Sequence, residues 1–317
     1  MTNIAVIGAG IVGLSSAVAI QRALPNARVT VMADKFTTDT TSDGAGGVFV
    51  PYAIDTDRNL IRKWGTEGSR HFYQLAFSEH SKDAGVYLSH GYELSTKPLT
   101  EPPPFLDFAL SCSRISKEEL SRFQPFYVDG YHVVTVIVEG RKYLPWLTAR
   151  FQEKGGVIET RKIDSLDELE GKYDVVVNCA GLGNQKLTDD KQLKAIRGQI
   201  LRVYAPWIKF FIHANDNFYF LPSSENAAVG ATRQLDRYDV TPDPSDTEEM
   251  WKRAVERLPA IKGAKRLWEW VGLRPYRGPP KVVHNYGHGA YGISLSWGTG
   301  VHVAEMVDSL LKARPKL

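Results

Sequence analysis

Between Asn3 and Asp34 the chain reads as a strand, a glycine turn, a helix and a second strand, and that order leaves few architectures open. Apolar residues run without interruption through "IAVI" and "ARVTVMA", the pattern of strands covered on both faces of a parallel sheet. The turn between them, Gly8-Ala9-Gly10-Ile11-Val12-Gly13, has the spacing G-x-G-x-x-G. Gly8 permits the tight turn, Gly10 lets backbone amides approach a pyrophosphate, and Gly13 lets helix and strand pack closely. The helix N-terminus adds partial positive charge for an anion. Asp34, followed by Lys35, closes the second strand about twenty residues on, where an acidic group accepts from a ribose hydroxyl. The motif predicts a bound dinucleotide and does not choose between NAD and FAD.

Composition narrows the class further. A chain of 317 residues with 43% hydrophobic and 24% charged content can bury a large core, and disordered and fibrous classes are excluded. The net charge of +3, with no run of Lys or Arg, argues against a nucleic-acid partner. Cys112 and Cys179 are too few for a disulfide framework, so a reducing compartment is expected. His284 and His288 are four apart, but the glycine-rich stretch around them does not build the helix that would align two imidazoles, and no metal is expected. The apolar run Ile4–Ile20 has the length of a signal peptide, yet no Lys or Arg precedes it and it is short for a membrane span. A soluble chain is expected.

Further along, "YLPWLTARFQEK" (Tyr143–Lys154) has helical periodicity and "DVVVNCAGLGN" reads as a buried strand with a glycine turn. "YGISLSWGTGVHVAEMVDSLLKA" reads as strand, turn and C-terminal helix. Between these pieces, "GVYLSHGYEL", "YHVVTVIVEG", "RGQILRVY", "FYFLP" and "AAVGATRQ" alternate with period two and are rich in Tyr, Phe and Val, as in an antiparallel sheet. The expected fold is α/β. A Rossmann-like nucleotide-binding domain (1–50, 139–190 and 271–317) is interleaved with a mixed, largely antiparallel substrate-binding domain (51–138 and 191–270).

Seven stretches, "IAVIGAGIVGLSSAVAI", "ADKFTTDTTSD", "VVVNCAGLG", "RGQILRV", "GATRQ", "VGLRPYR" and "HNYGHGAYGISLSWG", span almost the whole chain. In this order they resemble the D-amino-acid oxidase and D-aspartate oxidase flavoproteins. The resemblance implies FAD as the cofactor. It places Thr41 and Ser42 at the pyrophosphate, Gly47 and Val48 near the reactive edge of the flavin, and Ile163 on the adenine side. Gly289, Gly292, Ile293 and Ser294 would bond the pyrimidine part of the ring, with the N-terminus of a helix starting near Thr299 aimed at it.

The same resemblance implies hydride transfer from a D-amino acid to flavin, yielding a 2-oxo acid, ammonia and, with oxygen, hydrogen peroxide. Arg274 matches the carboxylate-binding arginine, Tyr219 the tyrosine beside it, and the carbonyl near Ala290 the amine acceptor. Arg233, at the end of "AAVGATRQ", matches the arginine that binds a distal carboxylate in the D-aspartate oxidase branch, so acidic D-amino acids are expected. Tyr52 and His213 depart from that branch, which has a histidine and an arginine there; a neutral D-amino-acid oxidase in which Arg233 does not contact substrate is the alternative. The Gly278–Lys281 link is shorter than is usual in the family. Pro315-Lys316-Leu317 is one conservative step from a peroxisomal S-K-L address, so peroxisomal residence is expected, with the cytoplasm otherwise. The expected partners are small molecules, a D-amino acid and oxygen, without nucleic acid or membrane; a homo-oligomer is allowed.

Overall fold

The computed structural model describes residues 1–51, 57–277 and 285–313. Tyr52, the 278–281 link, His284 and the tripeptide 315–317 lie outside the described residues. Along the chain the strands are β1 (Asn3–Ile7), β2 (Arg28–Ala33), β3 (Val86–Ser95), β4 (Ser111–Arg114), β5 (Asp129–Val138), β6 (Val157–Thr160), β7 (Val175–Asn178), β8 (Leu193–Tyr204), β9 (Phe211–Ala214), β10 (Tyr219–Pro222), β11 (Ala227–Gly230), β12 (Gln234–Leu235) and β13 (Lys265–Arg277).

Two sheets result. The smaller is parallel throughout, in the order β6-β2-β1-β7, with the helix Ile11–Ala23 crossing from β1 to β2. Ile4, Val6, Val29 and Val31 are buried in it, which accounts for the unbroken apolar runs. The C-terminal helix, Gly292–Ala313, packs against that first helix and against the helix Arg58–Ala76. Close approach is made by glycine: a Cβ on Gly298 would stand 2.0 Å from the Trp64 carbonyl oxygen.

The larger sheet has nine strands, in the order β12-β8-β11-β10-β9-β3-β5-β4 with β13 on the other side of β8. Its pairs are antiparallel except β3 with β9. Because side chains alternate along a strand, β8 serves two environments. Arg197, Gln199, Leu201 and Val203 face the helix Pro244–Arg257, where Gln199 Nε2 donates to Thr247 Oγ1 at 2.8 Å. Gly198, Ile200 and Arg202 face the opposite way. We call these the outer and inner faces.

Three expectations change. "YGISLSW" is not a strand: the helix begins at Gly292, not near Thr299. Its period-two alternation of Ser with Ile, Leu and Trp does not mark an exposed face, since Ile293 to Trp297 are all buried between helices. Ser296 and Thr299 satisfy their hydroxyls by donating to carbonyls three residues back, a helical habit. "AAVGATRQ" is two strands, for β11 ends at Gly230 and β12 starts at Gln234, leaving Arg233 in the gap. Finally, β13 spans Lys265–Arg277, so residue 271 lies inside a strand of the larger sheet. Five charged side chains in "KRLWEWVGLRPYR" hide that strand's apolar pattern. Among the described residues no helix is long and apolar enough to cross a membrane.

Candidate active site

At the carboxyl end of β1 the chain turns through Gly8, whose φ of +103° a side chain would strain, and a Cβ there would lie 2.4 Å from the Cys179 carbonyl oxygen. A Cβ on Gly13 would stand 1.9 Å from the Gly8 oxygen, so only glycine lets the helix begin this close to the strand. Gly10 is the N-cap and contributes no side-chain cap, and the first turn carries no acidic residue. The Ile11 N–H donates to Ser42 Oγ at 3.1 Å. Ala9 and Ile11 are buried, so this helix end presents backbone amides from an apolar surround, a setting suited to an anion. Thr41 Oγ1 donates to the Leu273 carbonyl at 3.0 Å, tying the same loop to β13.

Asp34 and Lys35 follow β2 and are exposed. The Arg161 N–H donates to the Ala33 carbonyl at 2.9 Å, which draws the chain after β6 alongside the end of β2. Ile163 is then buried with Ala5, Ile7, Met32 and Leu169 at the same end of the sheet.

Gly47, with φ +79°, accepts through its carbonyl from the Val138 N–H at 2.9 Å. The loop is then locked to the C-terminal helix: Ser294 Oγ accepts from the Val50 N–H at 3.2 Å and donates to the Val48 carbonyl at 3.5 Å. Immediately before that helix, Gly289–Tyr291 form a single 3-10 turn, joined to the end of β13 by the bridge between His288 and Tyr276. Ala290 is exposed on this turn and Ile293 is buried behind it. His288 is buried, and burial alone lowers its pKa to about 4, so it is neutral. Of the residues singled out for the cofactor, Ile11 and Ser42 meet at the start of the first helix, and Val48 and Ser294 meet where the loop joins the C-terminal helix, a donor set that fits a flavin dinucleotide.

The substrate residues assemble through strand register. Gly198 pairs with Gly272, Ile196 with Arg274, Gly230 with both Ile200 and Tyr219, and Tyr219 with His213. Directly paired residues share a face, so Arg274, Tyr219, His213, Gly198 and Gly230 all stand on the inner face. Two of the glycines form its floor. A Cβ on Gly198 would stand 2.2 Å from Arg274 Nη1, and one on Gly230 would stand 2.4 Å from the Tyr219 Cζ. The guanidinium and the phenol therefore lie flat against backbone.

Arg274 Nη1 donates to the Thr232 carbonyl at 3.3 Å, and Thr232 is itself fixed because its Oγ1 accepts from the Gln199 N–H at 2.8 Å. Among the described residues no carboxylate pairs with Arg274. Burial first, and then the neighbouring Arg233 charge, lowers the Arg274 pKa, while Tyr219 and Tyr291 oppose the shift. Burial raises the pKa of Tyr219 against the pull of Arg274 and Arg202. Arg233 is exposed, and among the described residues no carboxylate pairs with it either.

The His213 ring stacks near Tyr219, with centroids 6.4 Å apart and an interplanar angle of 24°. Its Nδ1 lies 2.8 Å from Glu93 Oε2. Burial pulls the His213 pKa down, but the Glu93 charge and hydrogen bond outweigh it and the net shift is upward. Glu93, Gly198, Gly230 and Thr232 are site residues that sequence reasoning did not single out. Their roles follow from cross-strand pairing, for which the sequence carries no local signal; only the acidic residue inside the β pattern "GYEL" hints at Glu93.

The family described as FAD dependent oxidoreductase (DAO) matches residues 3–306. D-aspartate oxidase from Homo sapiens is 39% identical over 328 residues, covering 98% of this chain and 96% of that protein. D-amino acid oxidase from Dugesia ryukyuensis is 33% identical, covering 98% of this chain and 99% of that protein. Among solved structures, glycine oxidase from Geobacillus kaustophilus superposes with a TM-score of 0.79 at 18% identity, covering 98% of this chain and 95% of that one, a likeness of fold.

Proposed function

The chain belongs to the DAO family of FAD-dependent oxidoreductases and is an FAD-dependent oxidase; from that premise we propose that it oxidatively deaminates acidic D-amino acids, D-aspartate and D-glutamate, to the 2-oxo acid, ammonia and hydrogen peroxide. The observation that carries this reading is a pair of guanidinium groups, Arg274 and Arg233, close enough to interact and with no carboxylate partner among the described residues. A dicarboxylate substrate answers both. The similarity to a protein named D-aspartate oxidase supports the same branch.

Arg274 holds the α-carboxylate, for which its planar fork is suited, and Tyr219 adds a hydroxyl bond to it. The Ala290 carbonyl receives the amine, and Arg233 takes the distal carboxylate. FAD, when bound, supplies the acceptor for the hydride that leaves the substrate Cα. Its pyrophosphate would be held by the amides from Gly8 to Gly13 with Thr41 and Ser42, its ribose by Asp34 with Lys35 alongside, and its adenine side by Ile163. Gly47, Val48, Gly289, Gly292, Ile293 and Ser294 would hold the ring. The protein's contribution is to fix the substrate's two ends and so its Cα, which turns a bimolecular encounter into an oriented one.

The exposure of Arg233 favours a second reading, a neutral D-amino-acid oxidase in which this arginine stays in solvent. Peroxide release from D-aspartate, D-glutamate, D-alanine and D-proline separates the two. Arg233→Ala is expected to lower kcat/KM for D-aspartate by roughly two powers of ten and leave D-alanine nearly unchanged; equal losses for both would overturn the acidic assignment. Peroxisomal residence is part of the proposal and rests on the tripeptide 315–317 and the peroxide produced. A fluorescent fusion that stays in the cytosol would refute it.

A further inference from the structure

On the inner face, beside Tyr219 and His213, lies an acidic group that an oxidase for acidic substrates has no evident use for. Glu93 on β3 is 8% exposed, sits in register with His213 on β9, and shares the face that bears Tyr219 and Arg274. A carboxylate buried there repels a dicarboxylate unless its charge is balanced. His213 balances it through the 2.8 Å contact from Nδ1, and the side chains of both are largely enclosed, at 19% and 10% exposure. The contact can form with the ring neutral or protonated, and protonation of the ring leaves the buried pair without net charge. Among the described residues, the titratable groups facing His213 are Glu93 from β3 and Tyr219 from β10, with Arg274 farther along the same face.

We propose that Glu93 is a positioning and specificity residue: it holds His213 as an imidazolium beside Tyr219, so that the charge of the buried acid is cancelled and a cationic ring faces the side-chain end of an acidic D-amino acid. The inference rests on the acidic reading of the site. It adds that this buried acid assists acidic substrates rather than deterring them. The histidine side of the pair is consistent with this, because the Glu93 charge and hydrogen bond outweigh burial and raise the pKa of His213, favouring the charged form.

Glu93→Gln keeps the size and hydrogen-bonding ability of the side chain and removes the charge. Two measurements on the FAD-loaded protein test it. The imidazole resonances, with His213 assigned from a His213→Asn variant, are followed by NMR against pH without substrate. The His213 titration is expected to move to lower pH by at least one unit in Glu93→Gln; an unchanged titration overturns the proposal whatever the enzyme's substrates prove to be. Peroxide release then reads the consequence. At pH 7.5 the KM for D-aspartate is expected to rise about tenfold with kcat little changed and D-alanine unaffected. The alkaline limb of kcat/KM for D-aspartate should move to lower pH alongside it. Improved use of D-aspartate by Glu93→Gln would mean that the carboxylate acts as a repellent and would also overturn the proposal. Wild-type protein that oxidises D-alanine but not D-aspartate, with the NMR shift intact, would remove the acidic reading and leave the charge-holding role of Glu93 standing.

Discussion

Two arginines stand on opposite faces of the nine-stranded sheet, Arg197 on β8 and Arg274 on β13, and they are treated oppositely. On the outer face Arg197 is fully buried and saturated: it reaches Asp246 at 3.1 Å, Asp239 at 3.2 Å, the Thr241 carbonyl at 2.7 Å and Gln199 at 3.0 Å. On the inner face Arg274 meets the Thr232 carbonyl, and its guanidinium otherwise lies against the bare backbone of Gly198. A saturated buried arginine serves the fold, because its hydrogen-bond capacity is spent on the protein itself. An arginine fixed in place with donors to spare is prepared for something else. Neighbouring strand positions, 197 and 198, thus serve structure on one side and chemistry on the other.

The comparison is broken most directly by removing each arginine. Arg274→Ala is expected to reduce kcat/KM for every D-amino acid by roughly two to four powers of ten while leaving the urea midpoint nearly unchanged. Steady-state kinetics and equilibrium unfolding on one preparation measure both, and a large stability loss with intact kinetics would place Arg274 with Arg197. The converse change, Arg197→Ala, leaves Asp246 and Asp239 with Arg237 as their remaining cation and strips the buried Gln199 side-chain oxygen and the Thr241 carbonyl of the arginine donor, and is expected to cost about 3–5 kcal/mol of stability. Activity per folded molecule should hold, and a variant as stable as wild type would show that the outer network is ornamental.

A smaller effect sharpens the contrast in pH. Asp243 caps the helix Pro244–Arg257, and its pKa is held down to about 2 by hydrogen bonds from the Ser245 side chain, then the Ser245 backbone, then Arg237. A carboxylate with a lowered folded pKa contributes stability above its unfolded value, near 3.8, and loses it as pH falls through the folded one. The outer face should therefore weaken between about pH 4 and pH 2, well below the range in which His213 on the inner face titrates. Unfolding midpoints across that range test this: Asp243→Ala should be less stable at pH 5 but lose less on acidification. A slope equal to wild type would remove Asp243 from the account.

Legibility in the sequence followed the same division between local and non-local physics. The β1–helix–β2 opening is visible because glycine spacing and continuous apolar runs are local, and Gly8, Gly10 and Gly13 stand where their spacing places them. The C-terminal helix was obscured because "ISLSW" alternates like a strand although its burial comes from two neighbouring helices. β13 was obscured by charges that its faces accommodate separately. At the candidate site, Arg274 and Tyr219 were found from motif resemblance, and the structure brings them onto one face. Gly198, Gly230 and Glu93 matter only because of what lies opposite them, and register is a property of pairs that no single segment encodes.

The lock between Ser294 and the Val48–Val50 backbone has a consequence for binding. The turn Gly289–Tyr291, which would receive the substrate amine, runs without a linker into the helix whose first residues secure the loop beside the flavin site. Neither segment can be ordered without ordering the other. Whatever immobilises one lowers the entropic cost of immobilising its neighbour, so occupancy by cofactor and by substrate becomes cooperative and, by thermodynamic reciprocity, equally so in both directions.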